Sequence, residues 1–120
     1  MDKHLLFTTS TELVRVPSEA IVYFRADGNY SVIIMADGGE YVLTLQLGQI
    51  ERRIEQLLDD GDHRFIRIGK SLIINKNYIS FVNVTKQKLI LSDCRIFRHE
   101  VSASKEALKA LKEYIEKEAL

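Results

Sequence analysis

Short apolar runs separated by turn-forming residues dominate the chain as far as residue 45. Branched and aromatic side chains in such runs are typical of β-strands. The pattern predicts two short strands within LLFTTSTELVRV, the second ending at Pro17, whose ring fixes φ. It then predicts strands over 20–26, 30–36 and 40–45, and the last two are expected to form a hairpin across the Asp37-Gly38-Gly39 turn.

The apolar period changes to three and four residues between Leu47 and Leu57, where charged side chains fill most of the other positions. This spacing predicts an amphipathic helix in the middle of the chain. We expect the helix to end near Asp59-Asp60-Gly61, because glycine readily ends a helix.

The strand pattern returns after this helix. It predicts an extended segment at 65–68, a turn at 69–71 and a strand from residue 72 onward. Three further strands of a meander are predicted over 78–84, 86–92 and 94–98.

A second apolar stripe at helical spacing, Leu108, Leu111 and Ile115, predicts a C-terminal helix. Ser102 or Ser104 can cap its N-terminus with a hydroxyl oxygen. The stripe either packs on the chain's own sheet or helps two chains to meet. Together the elements predict a mostly β fold with minor α content, and a single domain over residues 1–120.

The composition argues against a metal site and against catalysis. Cys94 is the one cysteine, so no internal disulfide forms, and a reducing cytoplasm is the expected location. In its strand-like setting we expect Cys94 to be a buried small hydrophobe. His4, His63 and His99 are scattered without ligand partners at metal spacing. The sequence contains no nucleophile signature and no glycine-rich phosphate loop, so neither an enzyme nor a cofactor is predicted.

Charge is unevenly distributed although the net charge is zero. Residues 1–60 hold five Lys and Arg against ten Asp and Glu, a net of −5, whereas residues 61–120 hold twelve against seven, a net of +5. Such asymmetry indicates a side that faces a polyanion, with solvated strand surfaces as the alternative. No apolar run approaches the length of about 18 residues that spans a bilayer, so no membrane contact is predicted.

Three segments in this order resemble the LytTR-type DNA-binding domain of bacterial transcription regulators. They are IVYFRADGNYSVIIMADGGEYV, LQLGQIERRI and RFIRIGKSLIINKNYI, and the similarity runs from about residue 5 to residue 112. The resemblance implies an elongated arrangement of small antiparallel sheets. It also implies that loops, and not a recognition helix, enter the major grooves of duplex DNA.

The resemblance further implies three DNA-facing loops. The first is 27–31, with Asn29 and Tyr30 as the best matches; the second contains Lys70 and Ser71; the third is 102–105. Lysine suits a phosphate as readily as a guanine edge, and an Asn amide pairs well with adenine. The DNA-binding residues predicted in this way are Asn29, Tyr30, Lys70, Ser71, Ser102, Ser104 and Lys105.

Structural roles are the alternative for several of these residues: Asn29 suits a tight turn, Tyr30 suits a strand core and Ser71 can close a turn. The chain also departs from the family twice, with Gly69 where members often carry His, and Ala103 where an Arg often follows a serine. A β-rich protein-interaction module that has lost DNA binding is therefore the alternative function. An enzyme is a third and weaker hypothesis.

The favoured interpretation is a stand-alone, sequence-specific transcription regulator that binds double-stranded DNA in the cytoplasm. One module of this size buries roughly 600–1,000 Å² on DNA. Useful affinity therefore predicts two copies on repeated half-sites, with a homodimer as one arrangement.

Overall fold

The structure, a computed structural model, describes residues 3–119. The chain divides into two compact units between Lys76 and Asn77. Among the described residues, no helix is both long enough and apolar enough to cross a membrane.

The first unit contains a two-stranded sheet, a five-stranded sheet and one helix. All the strand pairs are antiparallel, and the large sheet has the order β5-β4-β3-β7-β6. The elements are β1 (His4–Thr8), β2 (Leu13–Pro17), β3 (Ile21–Asp27), β4 (Tyr30–Met35), β5 (Glu40–Leu43), α1 (Leu47–Leu57), β6 (Phe65–Ile68) and β7 (Leu72–Asn75), with a short 3-10 turn at Ser18–Ala20.

The core of this unit lies between α1 and the sheets. Ile50 of α1 is fully buried in one apolar cluster with Phe7 and Phe24, and the rings of Phe7 and Phe65 both meet that of Phe24 edge to face at 5.7 Å. Val32, Ile33, Ile34 and Met35 are all buried, as their continuous apolar run predicts for a strand covered on both sides. The predicted hairpin of β4 and β5 is confirmed.

Helix α1 ends four residues before Gly61, the glycine expected to stop it. It begins where the side chain of Gln49 accepts a hydrogen bond of 2.8 Å from the backbone N–H of Gln46, which satisfies an amide that the helix leaves open. Its last residue is Leu57, and Leu58 continues in an extended conformation with a buried side chain. Burial of Leu58 against the core therefore fixes the helix end before Gly61 is reached.

The second unit contains one three-stranded antiparallel sheet and one helix. Its elements are β8 (Ile79–Asn83), β9 (Lys88–Ser92), β10 (Arg98–Ser102) and α2 (Lys105–Ala119), with a 3-10 turn at Lys76–Tyr78 leading into β8. Helix α2 lies against β8, and Leu108 and Leu111 of the predicted stripe are buried, whereas Ile115 is half-buried. The stripe thus packs within its own unit.

The predicted strand at 94–98 is wrong, because β10 begins only at Arg98. The carboxylate of Asp93 accepts hydrogen bonds from the backbone N–H groups of Arg95, Ile96 and Phe97, at 2.9–3.1 Å. A side chain that collects three amides in this way competes with strand pairing and holds a turn. Cys94 lies in that turn with a φ of +61° and is exposed, so its predicted burial is also wrong.

Candidate nucleic-acid interface

The turn between β3 and β4 is two residues long. Asp27 pairs with Tyr30, which leaves Gly28 and Asn29 as the loop. Gly28 has a φ of +62° and Asn29 does not have a positive φ, the combination expected of a type II′ hairpin turn. Glycine at the first loop position therefore permits the tight reversal, and Asn29 projects from its tip, exposed to solvent.

Tyr30 follows this turn as the first residue of β4. Its side chain is 49% exposed, which excludes the alternative of a core residue. Ser31, the next residue, is fully buried, and its hydroxyl donates a 2.7 Å hydrogen bond to the carbonyl oxygen of Leu45. This bond ties the start of β4 to the segment that precedes α1, so it restrains the backbone next to Tyr30.

The turn between β6 and β7 spans Gly69, Lys70 and Ser71, all of them exposed. Gly69 has a φ of +59°, in the left-handed region that side chains disfavour. The side chain of Arg67 holds this turn in place, and we call this role a brace. Its Nε donates to the carbonyl oxygen of Gly69 at 2.9 Å, one terminal nitrogen donates to the carbonyl oxygen of Lys70 at 3.3 Å, and the other reaches Glu51 Oε1 at 3.0 Å.

The two turns lie side by side at one end of the five-stranded sheet. Because β3 and β7 are antiparallel neighbours with Arg25 opposite Leu72, the end of β3 meets the start of β7. The backbone N–H of Ala26 donates a 2.9 Å hydrogen bond to the carbonyl oxygen of Ser71, which joins the two turns directly. The structure thus brings Asn29, Tyr30, Lys70 and Ser71 together, and we term this set of residues the 27–30/69–71 surface.

The side chains of this surface are available to a ligand. Within residues 3–119, those of Asn29, Tyr30, Lys70 and Ser71 make no hydrogen bond and no ion pair. The nearby charges of Arg25 and Asp27 lie 3.7 Å apart and largely offset one another. Lys70 therefore presents an unpaired ammonium beside an amide and two hydroxyl groups.

The third predicted segment belongs to the second unit. Ser102 is the last residue of β10, and α2 begins at Lys105. Of the two predicted caps, Ser104 is the one used: its hydroxyl oxygen accepts a 3.1 Å bond from the backbone N–H of Ala107. The Ser104 hydroxyl proton is still free to donate, and Lys105 stands exposed in the first turn of the helix.

The turn at 84–87, between β8 and β9, lies next to this segment, and the sequence analysis missed it. Lys88 pairs with Ser102 across β9 and β10, which sets the turn beside residues 102–105. Gln87 donates a 3.3 Å hydrogen bond from Nε2 to the carbonyl oxygen of Ala103. Lys86 is exposed at the turn, and its ammonium has no ion pair among the described residues.

We term this second group the 84–87/102–105 surface. Lys86 and Lys105 are exposed on it, and Glu106 adds a carboxylate in the first turn of α2. Backbone N–H groups at a helix start favour an anion, as do the two ammonium groups, whereas Glu106 opposes it. The sequence pattern placed Lys86 at the start of the strand predicted over 86–92, but β9 begins only at Lys88, and the strand register shows the neighbours of Lys86.

The described residues contain no cluster of His, Cys, Asp and Glu that could hold a metal ion. The chemistry of both surfaces is that of hydrogen-bond donors and ammonium groups. Such groups bind phosphate oxygens and base edges.

Two comparisons with known proteins found matches to this chain. The model of the LytTr DNA-binding domain matches residues 11–116, which include both surfaces. One similar solved structure is the LytTr DNA-binding domain of a protein from Bacillus cereus described as a methyl-accepting/DNA response regulator. It is 20% identical, with a TM-score of 0.61, and the alignment covers 93% of this chain and 95% of that one. No curated protein matches the chain.

The likeness in structure establishes the fold: small antiparallel sheets with two helices. The match to the family model covers most of the chain and supports DNA binding in transcription regulation. The family is one of DNA-binding domains and not of enzymes. This chain belongs to the LytTr DNA-binding domain family.

Proposed function

We propose that this chain binds duplex DNA sequence-specifically as a transcription regulator, with its turns and not a helix entering the major groove. The observation that carries the proposal is the 27–30/69–71 surface, where four exposed polar side chains from two hydrogen-bonded turns have no partner within the described part of the chain. Residues 1–120 act as one DNA-binding domain in the cytoplasm, and this domain supplies the DNA contacts.

Each side chain has a role that its chemistry suits. The Asn29 amide reads adenine, and Lys70 contacts a guanine edge or the neighbouring phosphate. Tyr30 and Ser71 donate their hydroxyl protons to phosphate oxygens and so fix the register of the module on the duplex. These four residues combine base contact and backbone contact on one rigid end of a sheet.

The 84–87/102–105 surface is proposed to hold the phosphate backbone. Ser102 and Ser104 donate hydroxyl protons, Lys105 adds charge at the helix start, and Lys86 adds a second ammonium. We propose that two copies bind repeated half-sites, because one module of this size buries only roughly 600–1,000 Å² on DNA.

Selection of bound duplexes from a random pool, followed by titration of a selected duplex against salt, tests this function. Binding is expected to weaken steeply, with a log–log slope near −0.9 for each phosphate contacted. Lys70→Ala is expected to cost about 1–3 kcal/mol of binding free energy if the lysine reads a base. Its matched control is Lys117→Ala, an exposed lysine in the last turn of α2.

Two results would count against the proposal. Absence of duplex binding at low salt would favour the protein-interaction module. Equal affinity of Lys70→Ala and Lys117→Ala would remove Lys70 from the contact surface.

A further inference from the structure

The turn between β9 and β10 is held by its own polar side chains. Besides the three amides bound by Asp93, the hydroxyl of Ser92 donates a 2.7 Å bond to the carbonyl oxygen of Phe97 and accepts a 2.8 Å bond from the N–H of Cys94. Residues 93–97 are therefore fixed in one conformation before they meet any partner. A fixed turn loses little conformational entropy on binding.

This turn presents an apolar side chain outward. Ile96 is 86% exposed, the largest value among the exposed large apolar residues of the described chain. Arg95 beside it is exposed and makes no ion pair within residues 3–119. We term Arg95 and Ile96 the tip. The tip lies at the opposite end of the β9–β10 hairpin from Ser102, so within its unit it is remote from the 84–87/102–105 surface.

The first unit contains a feature of the opposite kind, a cavity of about 370 Å³ between α1 and the segment that precedes β6. Its floor is apolar: Ile54, Leu58 and Ile73 are buried and Phe65 is half-buried. A volume of this size accepts one large aliphatic side chain with room to spare. An aliphatic side chain that enters this cavity leaves water and contacts these apolar groups, which favours its binding.

The rim of the cavity is acidic. Glu51 is paired with Arg67 and Asp59 with Lys3, but Glu55 and Asp60 are exposed and have no ion pair among the described residues. Residues 58–63 precede β6, so this part of the rim lies at the end of β6 opposite the turn at 69–71. The cavity is also lined by Glu51 and Arg67, so it extends toward the pair that braces the turn at 69–71.

We propose that the tip of one copy of this chain binds the cavity of a second copy. Ile96 covers the apolar floor, and the Arg95 guanidinium pairs with Glu55 and Asp60. The contact joins unlike surfaces of the two copies, the tip of one and the cavity of the other.

Self-association of the full chain without DNA, measured by sedimentation equilibrium, tests the proposal. Ile96→Ser is expected to raise the dimer Kd by about ten- to hundredfold, because the burial of one isoleucine side chain is lost. The Glu55→Lys/Asp60→Lys double variant is expected to raise it by at least about tenfold, because two carboxylates that face Arg95 become ammonium groups. Leu13→Ser is the matched control, because Leu13 is a 65% exposed apolar residue that does not line the cavity and is not part of the tip.

Mixing the two deficient variants gives the decisive result. Ile96→Ser retains an intact cavity and the lysine variant retains an intact tip, so an equimolar mixture is expected to form one-to-one pairs with the affinity of the wild-type contact. A wild-type chain that stays monomeric, an equal effect of Leu13→Ser, or a mixture that fails to pair would each overturn the proposal. Thermal unfolding confirms that every variant folds. Because a single half-site binds one copy, unchanged affinity of the variants for a single half-site shows that the contact between copies is distinct from DNA binding.

Discussion

Replacement of Arg67 by alanine tests whether this side chain holds the turn at 69–71 in place. The side chain is 28% exposed and donates to the carbonyl oxygens of Gly69 and Lys70 and to the carboxylate of Glu51. Each carbonyl bond contributes about 0.5–1.5 kcal/mol, and a partly exposed ion pair contributes about 0.2–1 kcal/mol. Arg67→Ala is therefore expected to lower the free energy of unfolding by about 2 kcal/mol, measured with urea.

The same substitution is expected to weaken DNA binding although Arg67 serves as a positioning residue. Without the brace, Lys70 belongs to a turn that must be reordered when DNA binds, and ordering even one residue costs about 1–2 kcal/mol. The duplex Kd should thus rise by about tenfold. The salt slope should stay unchanged, because no phosphate contact is lost.

A direct phosphate contact predicts a different pair of results. If Arg67 itself bound DNA, Arg67→Ala would make the salt slope shallower by about 0.9, and Arg67→Lys would restore most of the affinity. A brace predicts that lysine fails, because one ammonium cannot span two carbonyl oxygens and Glu51 as the guanidinium fork does. A shallower slope together with rescue by lysine would refute the positioning role.

Three further predictions concern the scaffold. Ile73→Ala, at a side chain only 2% exposed in the core, should lower the free energy of unfolding by about 2–5 kcal/mol in a denaturant titration, and a loss below 1 kcal/mol would contradict its core role. Gly69→Ala should lower the free energy of unfolding by about 1–2 kcal/mol because of the positive φ alone, since a Cβ there meets nothing within 4 Å. The control is Gly48→Ala within α1, where space is also open; this variant should leave the free energy of unfolding unchanged or raise it. Desolvation opposes ionisation of Asp93, but the N–H groups of Ile96, Arg95 and Phe97 outweigh it and lower the pKa of its carboxyl. The ionised Asp93 carboxylate therefore stabilises the fold above about pH 3.9, and this stabilisation is lost as pH falls through the pKa of Asp93 in the folded state. The amide proton chemical shifts of these three residues should titrate with a midpoint below about pH 3.9. A higher midpoint would refute the hydrogen bonding.

Local patterns predicted most of the strands because branched residues and turn-forming residues alternate clearly along this chain. They failed at 94–98, where CRIFR has strand-like composition but the carboxylate of Asp93 binds the backbone amides that a strand would use. The competing interaction depends on one side-chain rotamer. Composition carries no information about that rotamer, so the sequence pattern alone cannot distinguish this turn from a strand.

The resemblance proposed candidate site residues, but the sequence could not show how those residues group into surfaces. Asn29 and Lys70 lie far apart in sequence, and only the pairing of β3 with β7 brings their turns together. Arg67 was missed as a brace because its partner Glu51 is on a different element. Lys86 was missed because its neighbours follow from the register of Lys88 against Ser102. Each omission concerns a contact that is long-range in sequence.

Zero net charge is compatible with a polyanionic ligand in this protein because the charges are not equally available. Several basic side chains are offset by partners within the chain, among them Arg25, Arg64 and Lys88. Lys70, Lys86 and Lys105, in contrast, have no ion pair among residues 3–119, and all three stand on the turn surfaces. The lysines of the turn surfaces therefore present uncompensated charge to a polyanion, although other basic side chains, among them Arg95 and Lys117, also have no ion pair among the described residues. In the proposed function, each lysine that contacts a phosphate adds about −0.9 to the salt slope. Sequence discrimination in that proposal comes from the hydrogen-bonding groups of the turns, which Arg67 and the Ala26–Ser71 bond hold in place.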